Sequence, residues 1–113
     1  MKRVIAIIRP VMLDDVVAAL HRVEDFPGAV MSEVKGVRRG THQRANEHRE
    51  PLTIDFPNYI RIEIICSCEM ASNLVEAIRT SAHTGKEGDG KIFTSSVSSA
   101  VRIRDGQTDG NAT

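Results

Sequence analysis

The sequence predicts an α+β domain of the ferredoxin-like βαββαβ type, with a long loop between its second and third strands. Two observations along the chain lead to this fold class. Apolar residues repeat first at strand spacing and then at helix spacing, twice in the same order, which gives two similar halves. That pattern stops over residues 38–57, where charged residues dominate. The length of 113 residues fits a single domain of this kind.

The first half opens with a nearly continuous apolar run over residues 2–9, typical of a strand that is central in its sheet. A proline ends this run, and apolar residues then recur at helical spacing over residues 13–23. A Phe-Pro-Gly turn leads into a second predicted strand over residues 29–37. Because the first strand is apolar throughout, we expect another subunit to cover the sheet face that the helices leave free.

The segment at residues 38–57 is polar and rich in arginine, histidine and glutamate. A loop of this length inside a compact domain is typically functional or mobile. It is either a solvated hairpin or a contact surface, and the residues leave both interpretations open. His42 and His48 lie six positions apart, which is a weak pattern for a metal site.

The second half repeats the order of the first. Isoleucines alternate with charged residues from Tyr59 onward, as in a half-buried strand, and helical spacing returns over residues 70–78. A glycine-rich loop then precedes two short predicted strands, at residues 91–94 and 100–104.

Composition limits the class of protein. Fifteen basic and fifteen acidic residues cancel, which argues against a nucleic-acid partner. The N-terminal apolar run is too short for a signal peptide or a membrane span, so a cytoplasmic protein is expected.

Cys66 and Cys68 fall at the end of the third predicted strand, where a spacing of two residues directs both side chains to one face. We expect them to be reduced thiols, with a redox or metal role as the alternative.

The strongest chemical pattern is the loop at residues 84–91, Thr-Gly-Lys-Glu-Gly-Asp-Gly-Lys. Its three glycines permit sharp turns that present backbone N–H groups to an anion, and its two lysines add positive charge. Asp89 either holds the loop or accepts from a ligand. The loop lacks the P-loop spacing and precedes a strand rather than a helix. The pattern therefore predicts a phosphate-binding loop, with a plain glycine turn as the alternative.

Two arginines, Arg102 and Arg104, share one face of the predicted final strand. Like charges side by side repel unless an anion lies between them, so the pair is a second candidate phosphate site. A solvated edge strand is the alternative. No nucleophile stands with a base and an acid in the sequence, and we therefore predict that the chain is not an enzyme.

Four motifs together resemble the PII signal-transduction family. They are Ile-Ile-Arg-Pro followed by Leu-Asp-Asp-Val near the start, Glu-Val-Lys-Gly at residues 33–36, the glycine-rich stretch at residues 84–93 and Val-Arg-Ile-Arg at residues 101–104. The resemblance covers residues 1–106 except for the long loop, and it leaves residues 107–113 as a flexible C-terminal tail.

The resemblance implies a homotrimer that binds ATP, ADP or AMP in clefts between subunits. The loop at about residues 38–57 would be the T-loop, through which the family contacts a transporter or an enzyme. The resemblance places the following residues at the phosphates: Thr84, Gly85, Gly88, Asp89, Gly90 and Lys91, with Arg102 and Arg104 beside them. It places Ile7, Gly36, Val37 and Ile65 near the nucleotide from the neighbouring subunit.

Departures from the family pattern concern the second effector. Gly40 stands where usual members have a glutamine that holds Mg²⁺ and 2-oxoglutarate, and Tyr59 stands where they have a lysine that pairs with the oxoacid. A dicarboxylate needs such partners, so the resemblance indicates a divergent PII-like branch without 2-oxoglutarate sensing. Such branches are associated with carboxysomes, bicarbonate uptake or other transporters. Arg38 and Arg39 could hold a small anion such as bicarbonate, a role for Mg²⁺ stays open, and a metal-responsive regulator is the alternative.

Overall fold

A computed structural model describes residues 1–37 and 57–112 of the chain. Nearly all of the predicted T-loop, including Arg38, Arg39 and Gly40 with His42 and His48, lies outside the described residues. Within them, strands and helices follow one another in the predicted order. The strands are β1 (Lys2–Ile8), β2 (Val30–Lys35), β3 (Asn58–Cys66) and β4 (Gly90–Ser96). The helices are α1 (Leu13–His21), α2 (Cys68–Ala82) and two short 3-10 helices, Pro10–Met12 and Asp109–Ala112.

The four strands form one antiparallel sheet in the order β2-β3-β1-β4. Since β1 is central, its last residue, Ile8, lies opposite both Ile60 on β3 and Gly90 on β4. This arrangement confirms the ferredoxin-like α+β fold predicted from the two repeated halves.

Both helices pack on the same face of the sheet. Every second residue of β1 and β3 points at them, and the burial pattern of β3 alternates over its whole length, as period-2 patterning requires. α2 begins directly after β3, with the Ser67 side chain accepting from the N–H of Met70 at 3.3 Å. The buried core consists of Val4, Ala6, Ile8, Val16, Leu20, Ile60, Ile62, Ile64, Cys66, Ala71, Leu74, Ile78 and Ala82.

The opposite face of the sheet is only partly covered. Ile5 and Ile7 on this face are intermediate in exposure, while Phe93, opposite Ile5, is 54% exposed. Val30 on β2 is 66% exposed. Glu63 lies between Val30 and Ile5, so the apolar surface on this face is interrupted. The exposed apolar residues that remain fit the expectation that a second copy of the chain covers this face.

The predicted final strand at residues 100–104 is wrong. Val101 makes a single antiparallel bridge to Thr108. The N–H of Arg102 donates to the carbonyl of Gln107 at 2.8 Å, and the N–H of Gly106 donates back to the carbonyl of Arg102 at 2.8 Å. Gly106 has a φ of +72°, a conformation that glycine adopts without steric cost, so the segment turns on itself instead of extending along the sheet.

The two cysteines do not share a strand face. Cys66 ends β3 inside the core, whereas Cys68 is exposed and begins α2, because the chain changes from strand to helix at Ser67. Both are free thiols, and burial raises the pKa of Cys66. Across residues 1–37 and 57–112, no helix combines the length and apolar character needed to cross a bilayer.

Candidate functional site

The glycine-rich loop closes around the carboxylate of Asp89. One oxygen, Oδ2, accepts from the backbone N–H groups of Thr84 at 2.9 Å and Gly85 at 3.0 Å. The other, Oδ1, accepts from the Thr84 hydroxyl, whose oxygen in turn accepts from the N–H of Lys86 at 3.2 Å. Of the two roles open to Asp89 from the sequence, the structure places it in the first, since it holds the loop.

These donors explain the acidity of the carboxyl group. The hydrogen bond from the Thr84 hydroxyl is the largest cause, followed by the Thr84 N–H, and together with the Gly85 N–H and the charge of Arg9 they lower the pKa of Asp89 from 3.8 to about 2. Hydrogen bonds that favour the charged form stabilise the folded loop above pH 3.8 and are lost as the pH falls towards 2.

Replacement of Thr84 by valine is expected to raise the pKa of Asp89 towards its ordinary value, because the largest donor is removed while the side-chain shape is kept. A carboxyl ¹³C titration by NMR measures this midpoint. Thr80→Val is the matched control, since the Thr80 hydroxyl donates to the carbonyl of Glu76 on α2 at 2.8 Å. An unchanged midpoint in Thr84→Val would contradict the hydrogen-bond network.

Arg9 ties the end of β1 to the same loop. Its Nε donates to Oδ1 of Asp89 at 3.2 Å, and its Nη2 donates to the carbonyl oxygen of Glu87. Sequence reasoning did not assign Arg9 to the site. Strand register could have identified it. Because β1 and β4 are antiparallel and Ile8 lies opposite Gly90, Arg9 and Asp89 are the next neighbours beyond this pair.

Gly90 marks the point where the loop enters β4. It has a φ of +108°, and a Cβ atom built on it would lie 1.7 Å from the carbonyl oxygen of Ile7. Backbone therefore packs directly on backbone at this point, and only glycine fits. Lys91 follows on the partly covered face, opposite Ile7. A cleft of about 360 Å³ beside the loop is lined by Ile7, Asp89, Gly90 and Lys91 together with residues of α2.

A second cleft, of about 310 Å³, lies at the same end of the sheet. Its lining includes Arg9, Asn58, Tyr59 and Gly88. The Tyr59 ring lies against Gly36, where a Cβ atom would come within 2.6 Å of Cε2 of the ring. The N–H of Gly36 donates to the carbonyl of Pro57 at 2.8 Å, which joins the two ends of the long loop.

Val37, the next predicted site residue, is 70% exposed just before the long loop. The structure thus brings Gly36 and Tyr59 to the end of the sheet where the glycine-rich loop lies.

The remaining predicted site residues lie at the other end of the sheet. Ile65 is opposite Arg3 of β1, four residues away from Ile7, which corresponds to about 13 Å along a strand. A cleft of about 580 Å³ at this end is lined by Val30, Glu63, Ile65 and Val101, with the preceding Ala100 and the turn before β2. The C-terminal segment that carries the two arginines therefore packs far from the glycine-rich loop of its own chain.

The two arginines share a carboxylate within this segment. Arg102 forms a bidentate pair with Asp105, with Nε 3.0 Å from Oδ1 and Nη2 2.7 Å from Oδ2. Arg104 is 79% exposed, and its Nη2 lies 3.8 Å from the same Oδ2. The hydrogen bond from Arg102 is the largest cause that lowers the pKa of Asp105. The expectation that both guanidinium groups lie on one strand face is wrong, because the segment is a turn.

Comparison with known proteins decides the family. The sequence model of the nitrogen regulatory protein P-II family matches residues 1–107. The chain belongs to this family. P-II proteins that it is similar to include one from Rhizobium etli, 42% identical over 112 residues, and one from Azospirillum brasilense, 38% identical over 112 residues. One from Synechocystis is 40% identical over 112 residues, and each alignment covers 99% of both chains.

Membership in the P-II family confirms the resemblance identified from the four motifs. P-II proteins are signalling regulators, which agrees with the expectation of a regulatory chain. Within the part of this P-II chain that the structure describes, no group of three histidine, cysteine, aspartate or glutamate side chains is placed to hold a metal ion.

Proposed function

We propose that this P-II protein is a homotrimeric regulator, without catalytic activity of its own, that binds ADP, AMP or ATP in clefts between its subunits. The observation that carries the proposal is the glycine-rich loop, which is closed around Asp89 and whose lysines pair with none of the other described residues. Among the described residues, the ammonium groups of Lys86 and Lys91 have no hydrogen-bond or ion-pair partner, and both side chains are exposed.

The charge distribution of the loop favours an anionic ligand. The Asp89 carboxylate, one of two in the loop beside Glu87, is already compensated by four donors from Thr84, Gly85 and Arg9. The lysine charges are therefore available to an external group. The N–H groups of Thr84, Gly85 and Lys86 are used within the loop, so the two lysines are the groups that would pair with a phosphate.

The division of the predicted site supports an assembly of several copies. The glycine-rich loop and the arginines of the C-terminal segment lie at opposite ends of one sheet, so one diphosphate cannot contact both within a single chain. A neighbouring copy that packs on the partly covered face would bring its own Arg102 and Arg104 to the loop. The exposed apolar residues on that face, Phe93 and Val30, supply surface for this contact.

The second effector is proposed to be a small anion rather than 2-oxoglutarate. Tyr59 offers no cation to a carboxylate. Among the described residues that line the same cleft, one is an arginine, Arg9, and its charge is shared with Asp89. This suits a single small charge such as bicarbonate better than a dicarboxylate. We propose that residues 38–57 act as the T-loop and carry the ligand state to a transporter or an enzyme.

Replacement of Lys91 or Arg104 by alanine is expected to weaken binding of ADP by roughly 10- to 150-fold, since one charge-assisted contact contributes about 1.5–3 kcal/mol. Isothermal calorimetry with ADP, AMP and ATP, with and without bicarbonate, measures the affinities. Arg22→Ala, an exposed arginine after α1, is the control for loss of one positive charge. Wild-type affinity in both Lys91→Ala and Arg104→Ala would rule out the proposed site.

A further inference from the structure

In the free chain, the Asp105 carboxylate forms an ion pair with the Arg102 guanidinium. The pair is bidentate, with both carboxylate oxygens engaged at 3.0 and 2.7 Å. We propose that Asp105 competes with the phosphate groups of the nucleotide for Arg102, so that a phosphate gains the Nε edge of this guanidinium only when the carboxylate releases it. The proposal rests on the nucleotide site proposed above.

The competition follows from the geometry of the guanidinium group. Carboxylates and phosphates both bind arginine through two parallel N–H···O bonds, and one pair of N–H groups serves one such partner at a time. Asp105 engages Nε and Nη2 of Arg102, the two donors of one fork. It also lies 3.8 Å from Nη2 of Arg104, so its single negative charge offsets both cations.

The turn itself has other means of support. Backbone bonds of 2.8 Å join Arg102 to Gln107 and Gly106, and Val101 forms its bridge to Thr108. These contacts close the segment without the Asp105–Arg102 pair. The carboxylate also accepts from the N–H of Gln107 at 3.1 Å, a bond that asparagine or serine can replace. Loss of the negative charge is therefore compatible with an intact turn.

Partial exposure keeps the pair exchangeable. The side chain of Arg102 is 37% exposed and that of Asp105 is 34% exposed. Ion pairs at such positions are weak enough for an incoming dianion to displace, yet a partner three residues away in the same turn is always present at high local concentration. We therefore expect the chain to bind nucleotide more weakly than it would if Arg102 and Arg104 were not paired with Asp105.

Asp105→Asn tests this competition. ADP is expected to bind roughly three- to tenfold more tightly to the variant than to the wild-type protein by calorimetry, from the strength of a partly exposed bidentate pair. Asp25→Asn removes one negative charge from an exposed position in the turn before β2 and should leave the affinity unchanged. In the Arg102→Ala background, Asp105→Asn should give a much smaller gain, because the masked group is gone.

The outcomes separate the inference from the proposed function. Equal ADP affinities in wild type and Asp105→Asn would overturn the competition and leave the nucleotide site standing. A failure of wild type and every variant to bind ADP would overturn both. Should Asp105→Asn lose its fold by circular dichroism, Asp105→Ser, which keeps an acceptor for the Gln107 N–H, is measured in its place against the same expectation.

Discussion

Replacement of Gly90 by alanine is expected to lower the free energy of unfolding by about 3 kcal/mol, from backbone strain and steric overlap together. At a φ of +108° an L-residue is strained, and its Cβ atom would lie 1.7 Å from the carbonyl oxygen of Ile7. Because the clash is with backbone, either β1 or β4 must move, and the β1–β4 pairing next to the phosphate loop is disturbed. Urea denaturation followed by circular dichroism measures the loss.

Gly28→Ala is the matched control for Gly90→Ala. Gly28 has a similar φ of +95°, but a Cβ atom on it would meet nothing within 4 Å. Only conformational strain remains there, and the expected loss is about 1–2 kcal/mol. If the two alanine variants lose the same stability, the close approach of Gly90 to β1 is not the reason for glycine at that position.

Mixed trimers of two variants that each bind ADP weakly are expected to regain some high-affinity nucleotide sites. In the proposed assembly, each site combines the loop of one subunit with the arginines of its neighbour. Lys91→Ala and Arg104→Ala each damage one half, so neither homotrimer has an intact site. After joint unfolding and random 1:1 reassembly, roughly a quarter of the sites should combine an intact loop with intact arginines. Calorimetry with ADP counts the recovered high-affinity sites.

A second mixture of variants is the control, because both of its substitutions lie in the same half of the proposed site. Arg9→Ala is expected to weaken binding because Arg9 holds Asp89 and Glu87 in the loop, on the same half of the site as Lys91. Lys91→Ala mixed with Arg9→Ala should therefore recover no sites, since every loop carries a defect. Absence of recovery in the first mixture, with trimers present by light scattering, would place the loop and the arginines of one chain in the same site.

Local patterns in the sequence determined the order of the elements and the chemical character of the loop. Periodicity of 2 and of 3.6 depends on neighbouring residues alone, and it predicted the four strands of the sheet and both long helices. The glycine spacing at residues 84–91 is likewise local, and it pointed to an anion site before any contact was known. The motifs of the P-II family are also contiguous, which is why the family was identified from the chain.

Tertiary structure alone decided which groups meet. Arg9 reaches Asp89 because strand register places residue 8 beside residue 90, a pairing that no local pattern encodes. The segment at residues 100–104 has strand-forming residues, yet it turns, since bonds to Gly106 and Gln107 satisfy its backbone within the segment. That turn brings Asp105 onto Arg102 and keeps both arginines at the far end of the sheet from the loop. Contacts between distant residues arise from packing, and for this reason the separation of the two arginines from the glycine-rich loop within one chain was visible only in the fold.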